Sequence, residues 1–397
     1  LYQSRFIRVM RAERMNEILR DMNKSDTDKI TFQDMEQISA LDGVTCFLSC
    51  TLSKSAEKIC LQMSLKEAGS RKILWTQKLE GPESGIFDMV DSLTRKIKPR
   101  LNLTDKQITD DVDKAVAMVT TPNERALDFY IQAQEAVNDT NWNLAAQNYE
   151  RAIALDPDFA MAYRYLSGLY NHLALETGDQ SYWDKLREAG EKSLAAIKRR
   201  PPSERERLII EGAYINPNSG VHIVKKEMET FKKLLTLYPD DDYGNYRRAV
   251  RYFQGEAYDR AEQHLMRTIE FTNSAFTFYV LSNIYLHEGK YAEAEAVLEL
   301  GLDRFPSNFY LYQRMAELYA YQQKFNTALS WCDRGFGIEP IQFRDSLIKG
   351  DALFFMGDFK SAEEEYRLCL YSQNNKSRIG AAISLMQLYK TQGRFYD

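Results

Sequence analysis

Residues 275–308 read AFTFYVLSNIYLHEGKYAEAEAVLELGLDRFPSN. Phe278, Leu281 and Tyr285 recur at helical spacing, and Gly289 interrupts them. Tyr291, Ala294, Leu298 and Gly301 resume the pattern, and Pro306 ends it. Apolar residues three and four apart share one helix face. A glycine just past the last turn stops a helix, and a proline cannot continue one. The stretch therefore predicts two helices joined by a tight turn. Small Ala294 lets them approach closely while the large residues fill the seam. The next stretch puts Tyr312, Met315, Ala316, Tyr319, Phe325, Ala328, Gly335 and Pro340 at matching offsets.

The register extends both ways. Residues 126–159 carry Ala133, Trp142, Ala145, Tyr149, Ala152 and Pro157. From residue 160 come Tyr163, Leu166 and Tyr170, then Ala189, Ala196 and Pro201 after extra residues. Residues 205–241 hold Leu208, Gly212, Phe231, Leu234 and Pro239, with a polar insert from Asn216 to Gly220. Residues 242–274 hold Ala249, Tyr252, Tyr258 and Ala261, with Asn273 in place of the proline. Residues 343–376 hold Gly350, Gly357, Phe359, Ala362 and Tyr366, and an eighth copy shows Leu385, Tyr389, Gly393 and Phe395 before the chain stops. A period of about 34 residues with these small, aromatic and proline positions resembles the tetratricopeptide (TPR) repeat. The resemblance covers roughly two thirds of the chain, and it implies an all-α solenoid of about seven and a half repeats over 123–397. It also implies a right-handed superhelix that binds protein segments in a concave groove.

Residues 1–101 follow another pattern. Arg5 to Met10 reads as a short strand and Ala12 to Met22 as a helix. Thr31, with Asp34 three residues on, caps a second helix running through Ile38. Alternation then predicts strands from Val44 to Leu52, Lys58 to Lys66 and Ile73 to Leu79, with a turn at Ser53 to Glu57. Ile86 to Ile97 reads as a helix stopped by Pro99. Cys46 and Cys50 fall on one strand face with Val44, Leu48 and Leu52, a core pattern. The strand ending in Arg8-Val9-Met10, Gly43-Val44, Ile73-Leu74-Trp75, Glu80-Gly81 and the run from Ile86 to Asp91 resemble the TolB amino-terminal-like domain. That resemblance implies a mixed α/β sandwich, here lacking its first strand and helix. It further implies the C-terminal region of a bacterial signalling protein, downstream of a serine/threonine kinase, adenylate cyclase or winged-helix module. In membrane-anchored examples the domain lies outside the cytoplasm. The fold class expected is thus α+β, with residues 102–122 as a partly ordered linker between the two parts. Both ends read as cut from a longer chain.

The composition narrows the chemistry. A net charge of -5 argues against a general nucleic-acid role. No apolar run approaches the 18 residues that suggest a membrane span. The five cysteines form no CxxC pair or zinc spacing. The four histidines make no HExxH motif, and no phosphate loop or nucleophile elbow occurs. His172 and His287 share one offset near the end of a first helix, which places both towards the groove. Asp240 to Asp242 lacks calcium-loop spacing and reads as a solvated turn. No cofactor, metal or catalytic residue is expected.

The groove is the candidate site. In a TPR superhelix positions 2, 5, 9, 12 and 13 of each first helix line it. Here they include Tyr246, Phe253, Tyr279, Asn283, Glu317, Tyr321, Asp351 and Phe355. Five of these, Tyr246, Phe253, Tyr279, Asn283 and Tyr321, are the expected partner contacts, since aromatic area with some polarity suits a peptide surface. The type of groove that clamps a C-terminal carboxylate uses lysines and asparagines, and only Asn283 matches it, so chaperone tails are not expected. The reading is a non-catalytic interaction and sensory region of a bacterial signalling protein, on the periplasmic side of the envelope. The alternatives are a structural adaptor in an envelope or secretion assembly, and a cytoplasmic location.

Overall fold

The computed structural model describes the chain from residue 30 onward, apart from 56–57, 71, 83–84, 112–120, 214–220, 270–271, 273, 339–346, 373 and 395–397. Before residue 30 it describes Ser4, Phe6, Ile7, Val9, Met10, Met15, Ile18, Leu19, Met22 and Lys24. The strand expected at 5–10 and the helix expected at 12–22 thus lie largely outside the described residues. So do the insert from Asn216 to Gly220, residues 112–120 of the expected linker, Asn273, Pro340 and Phe395. Two compact units emerge: Leu1–Glu124 with Arg199–Arg207, and Arg125–Lys198 with Leu208–Asp397.

In the first unit, α1 (Phe32–Asp42) opens on the expected capping box, with the Asp34 N–H donating to Thr31 Oγ1 and the Thr31 N–H donating back to Asp34 Oδ2 at 2.6 Å. The Lys24 ammonium, 2.7 Å from the same oxygen, and the Thr31 hydroxyl hold the Asp34 carboxyl at about 2. Gly43, at φ 64°, closes the helix by donating to the Ser39 carbonyl. Strands β1 (Cys46–Ser55), β2 (Lys58–Glu67) and β3 (Ile73–Pro82) then form an antiparallel meander in the order β1-β2-β3. Helix α2 (Ile86–Ile97) lays Met89 and Leu93 on Ile59 and Leu61.

The described sheet is antiparallel, because each connection is a short hairpin. Two expectations are corrected here. The first hairpin is tighter than expected, with Ser55 paired to Lys58, so polar Ser53 and Lys54 are strand residues. The face carrying Leu48, Cys50 and Leu52 is exposed, since α2 packs on β2 and β3 and leaves this part of β1 uncovered.

Past β3, a 3-10 turn (Lys98–Arg100) and the short helix α3 (Asp105–Asp110) occupy the expected linker. The Lys98 ammonium meets the Asp111 carboxylate at 2.9 Å, with both side chains buried.

The second unit is helical throughout its described residues. Its helices follow in sequence as pairs: α4 (Glu124–Asn138) and α5 (Trp142–Leu155), α6 (Ala160–Thr177) and α7 (Gln180–Arg199), α8 (Glu204–Ala213) and α9 (Val221–Leu237), α10 (Asp242–Gln254) and α11 (Tyr258–Met266). Then come α12 (Ala275–His287) and α13 (Tyr291–Arg304), α14 (Phe309–Tyr321) and α15 (Phe325–Ile338), α16 (Ile348–Phe355) and α17 (Phe359–Cys369), and a single α18 (Asn375–Thr391). The small residues of the pattern sit in the seams. Ala133, Ala145, Ala249, Ala261, Ala294, Ala316, Ala328 and Ala362 are fully buried. A Cβ on Gly301 would lie 2.9 Å from the Phe278 Cβ, so only glycine admits this approach of α13 to α12.

The acidic run at Asp240 to Asp242 is also corrected. Asp241 is buried, and its carboxylate caps α10 by accepting from the Gly244 N–H at 2.7 Å.

Candidate functional site

The first helices of successive pairs pack side by side: α10 on α12, α12 on α14, α14 on α16. The expected groove residues lie on these helices. Tyr246, Phe253 and Tyr279 pack half-buried against the core of these repeats. Burial pushes the Tyr246 and Tyr279 phenols up. The Arg314 guanidinium lies 4.4 Å from the Tyr279 ring centroid and contacts Glu317. This cation–π contact was not read from the sequence, although Arg314 is one residue past a lining position. Glu317 has its carboxyl raised by burial, against the pull of Arg314. Asp351 is raised likewise by burial, while the Tyr366 hydroxyl donating to it at 2.7 Å opposes the shift.

Of the five expected contacts, Tyr246, Phe253 and Tyr279 pack against one hydrophobic cluster. Phe253 turns to Tyr258 and His287, at ring separations of 5.7 and 5.5 Å. Asn283 is half-buried on α12. Tyr321, at the end of α14, is 66% exposed. Phe355 stands at the equivalent place on α16, is 67% exposed, and stacks on Phe325 at 5.9 Å and 11°. His172 and His287 part company. His287 is exposed against Tyr258, whereas His172 packs on Trp142 with ring centroids 4.4 Å apart. Among the described residues no group of three His, Cys, Asp or Glu side chains is placed to hold a metal ion.

The tetratricopeptide repeat family model matches residues 277–308 and 347–376. These two stretches are TPR repeats. They are the helical pairs α12–α13 and α16–α17. The chain is similar in structure to a tetratricopeptide repeat protein from Parabacteroides merdae ATCC 43184, at 16% identity and a TM-score of 0.41, over 68% of this chain and 100% of that one. It is similar to PilW, a widely conserved type IV pilus biogenesis factor, at 12% identity and a TM-score of 0.37, over 66% and 99%. It is also similar to a chain of the APC/C hetero-tetramer Cut9-Hcn1, at 14% identity and a TM-score of 0.39, over 69% and 46%. No curated protein matches it. TPR repeats of this kind serve protein–protein interaction. No described helix is long and apolar enough to cross a membrane.

Proposed function

We propose that this chain is a non-catalytic protein-interaction region whose first-helix face, from repeat four to repeat seven, takes an extended or helical segment of a protein partner. Tyr246, Phe253, Tyr279, Asn283 and Tyr321 are the proposed contacts, with Phe355 added. The observation that carries the reading is the exposure of Tyr321 and Phe355 at one position of consecutive repeats. Large aromatic side chains left open in register offer area at low entropic cost to a bound segment. The resemblance of residues 1–101 to the TolB-like domain supports a sensory or regulatory role in a bacterial signalling protein, on the periplasmic side of the envelope.

The test is calorimetric titration of a protein isolated by its binding to this chain. Tyr321→Ala and Phe355→Ala should each weaken binding by about 1–3 kcal/mol. Circular dichroism should stay unchanged, because both side chains lie outside the buried seams. Tyr246 and Tyr279 are poorer probes, since truncating a half-buried ring also disturbs packing. Binding that survives both substitutions but is lost on Leu48→Asp would put recognition on the sheet.

A further inference from the structure

Repeats one and two touch repeats five and six across the first-helix face. The Asn308 Nδ2–H donates to the Asn138 carbonyl at 2.6 Å, linking residues 170 apart in sequence. The Tyr310 hydroxyl donates to Glu176 Oε1 at 3.0 Å. With that proton committed, the His172 Nε2–H is placed to donate to Tyr310 Oη at 3.3 Å. The Trp142 ring packs against His172 on one side and lies 6.3 Å from Phe276 and 6.1 Å from Tyr310. The Tyr279 ring lies 5.9 Å from the Tyr310 ring, edge to face. Phe276, Tyr279 and Tyr310 occupy positions 2 and 5 of repeats five and six, which are groove positions. In this state the chain's own repeats cover them.

The geometry points to an intramolecular latch. Trp142, His172 and Glu176 close the groove over Phe276, Tyr279 and Tyr310, and a partner reaching those rings must first open it. This rests on the proposed binding face and adds its regulation. The contact is built to open. Trp142 belongs to the core of repeats one to three, and Phe276 and Tyr310 pack partly buried against it, but the bonds that cross between the repeats are polar. Among the described residues the buried Trp142 indole N–H has no acceptor in the closed state. An unmade bond of this kind disfavours closure and narrows the gap to the open state.

Hydroxyl-radical footprinting of the full chain, without any partner, tests the latch apart from the binding proposal. Asn308→Asp keeps the cap on α14, where the side-chain oxygen accepts from the Leu311 N–H, but it loses the donor to Asn138. Tyr310→Phe is milder, keeping the ring and losing the hydroxyl. In the wild type Trp142 should be modified far more slowly than Tyr321. In each variant its modification should rise about 5- to 10-fold, as expected for a lost hydrogen bond in an opening equilibrium. Buried Tyr149 and Phe278 should stay protected. The latch is refuted if wild-type Trp142 reacts as fast as Tyr321 or if neither variant changes it. A rise at Tyr149 and Phe278 together with Trp142 refutes it as well, because the contact would then be part of the core. All of these results stand whether or not a partner binds at Tyr321.

Discussion

His264 Nδ1 lies 2.8 Å from Asn245 Oδ1. The Asn245 amide group donates to the Pro239 and Asp241 carbonyls, so its oxygen faces the ring and His264 carries its proton on Nδ1. Burial, then the nearby charges of Arg248 and Arg267, lower the imidazole to about 4. The folded protein therefore keeps this histidine neutral where the unfolded chain, with an ordinary value near 6.5, takes up a proton. Its contribution is complete above about pH 6.5 and is lost as the pH falls towards 4, a loss of about 1–3 kcal/mol. Urea unfolding at pH 7 and pH 4.5 should show a larger acid loss for the wild type than for His264→Gln. Equal losses would contradict the assignment. Nothing in the sequence marked this ring. Asp241 was equally hidden, because a cap and a solvated acidic turn look alike until the helix start is fixed. Cys50 erred the other way. Alternation places it correctly on a strand face, but alternation does not say which face another element covers.

The turn between the helices of a repeat has one recurring device. Thr140, Glu256, Gly289, Gln323, Gly357 and Gly393 all have positive φ, from 56° to 83°. Each follows a first helix, and all but Gly393 are followed by a described second helix. Glycine adopts this conformation freely, whereas residues with a Cβ meet their own carbonyl there at a cost of roughly 1–2 kcal/mol. Glu256→Gly and Gln323→Gly should therefore raise stability by roughly 0.5–1 kcal/mol each, after the extra freedom of glycine in the unfolded chain is counted. Thermal melting should show a higher midpoint for both, and a lower one would mean these side chains make contacts worth more than the strain. This element was legible where glycine stands, and Gly289, Gly357 and Gly393 fixed the register. At Thr140, Glu256 and Gln323 no glycine marks it. The β1–β2 hairpin was less legible because Ser53, Lys54 and Ser55 are as suited to a turn as to an exposed strand.

At the scale of the whole chain, the succession of helical pairs was readable because each pair repeats a local pattern. The meeting of repeat one with repeat six was not, since no local pattern encodes a contact between Asn138 and Asn308. An array of repeats normally touches only its neighbours, so it can unravel from either end while the rest stays folded. The bond from Asn308 to Asn138 changes that connectivity. It makes a loop of a ladder, so melting α4 and α5 requires breaking contacts made by α12 and α14. Hydrogen exchange should then give the α5 amides an opening free energy close to that of α12. If α5 already exchanges faster than α12 in the wild type, the two ends are not coupled. Closure over this sequence separation should also slow folding, because the loop entropy must be overcome before the contact gives any return. The same few side chains that cover the groove would thus set the size of the cooperative folding unit.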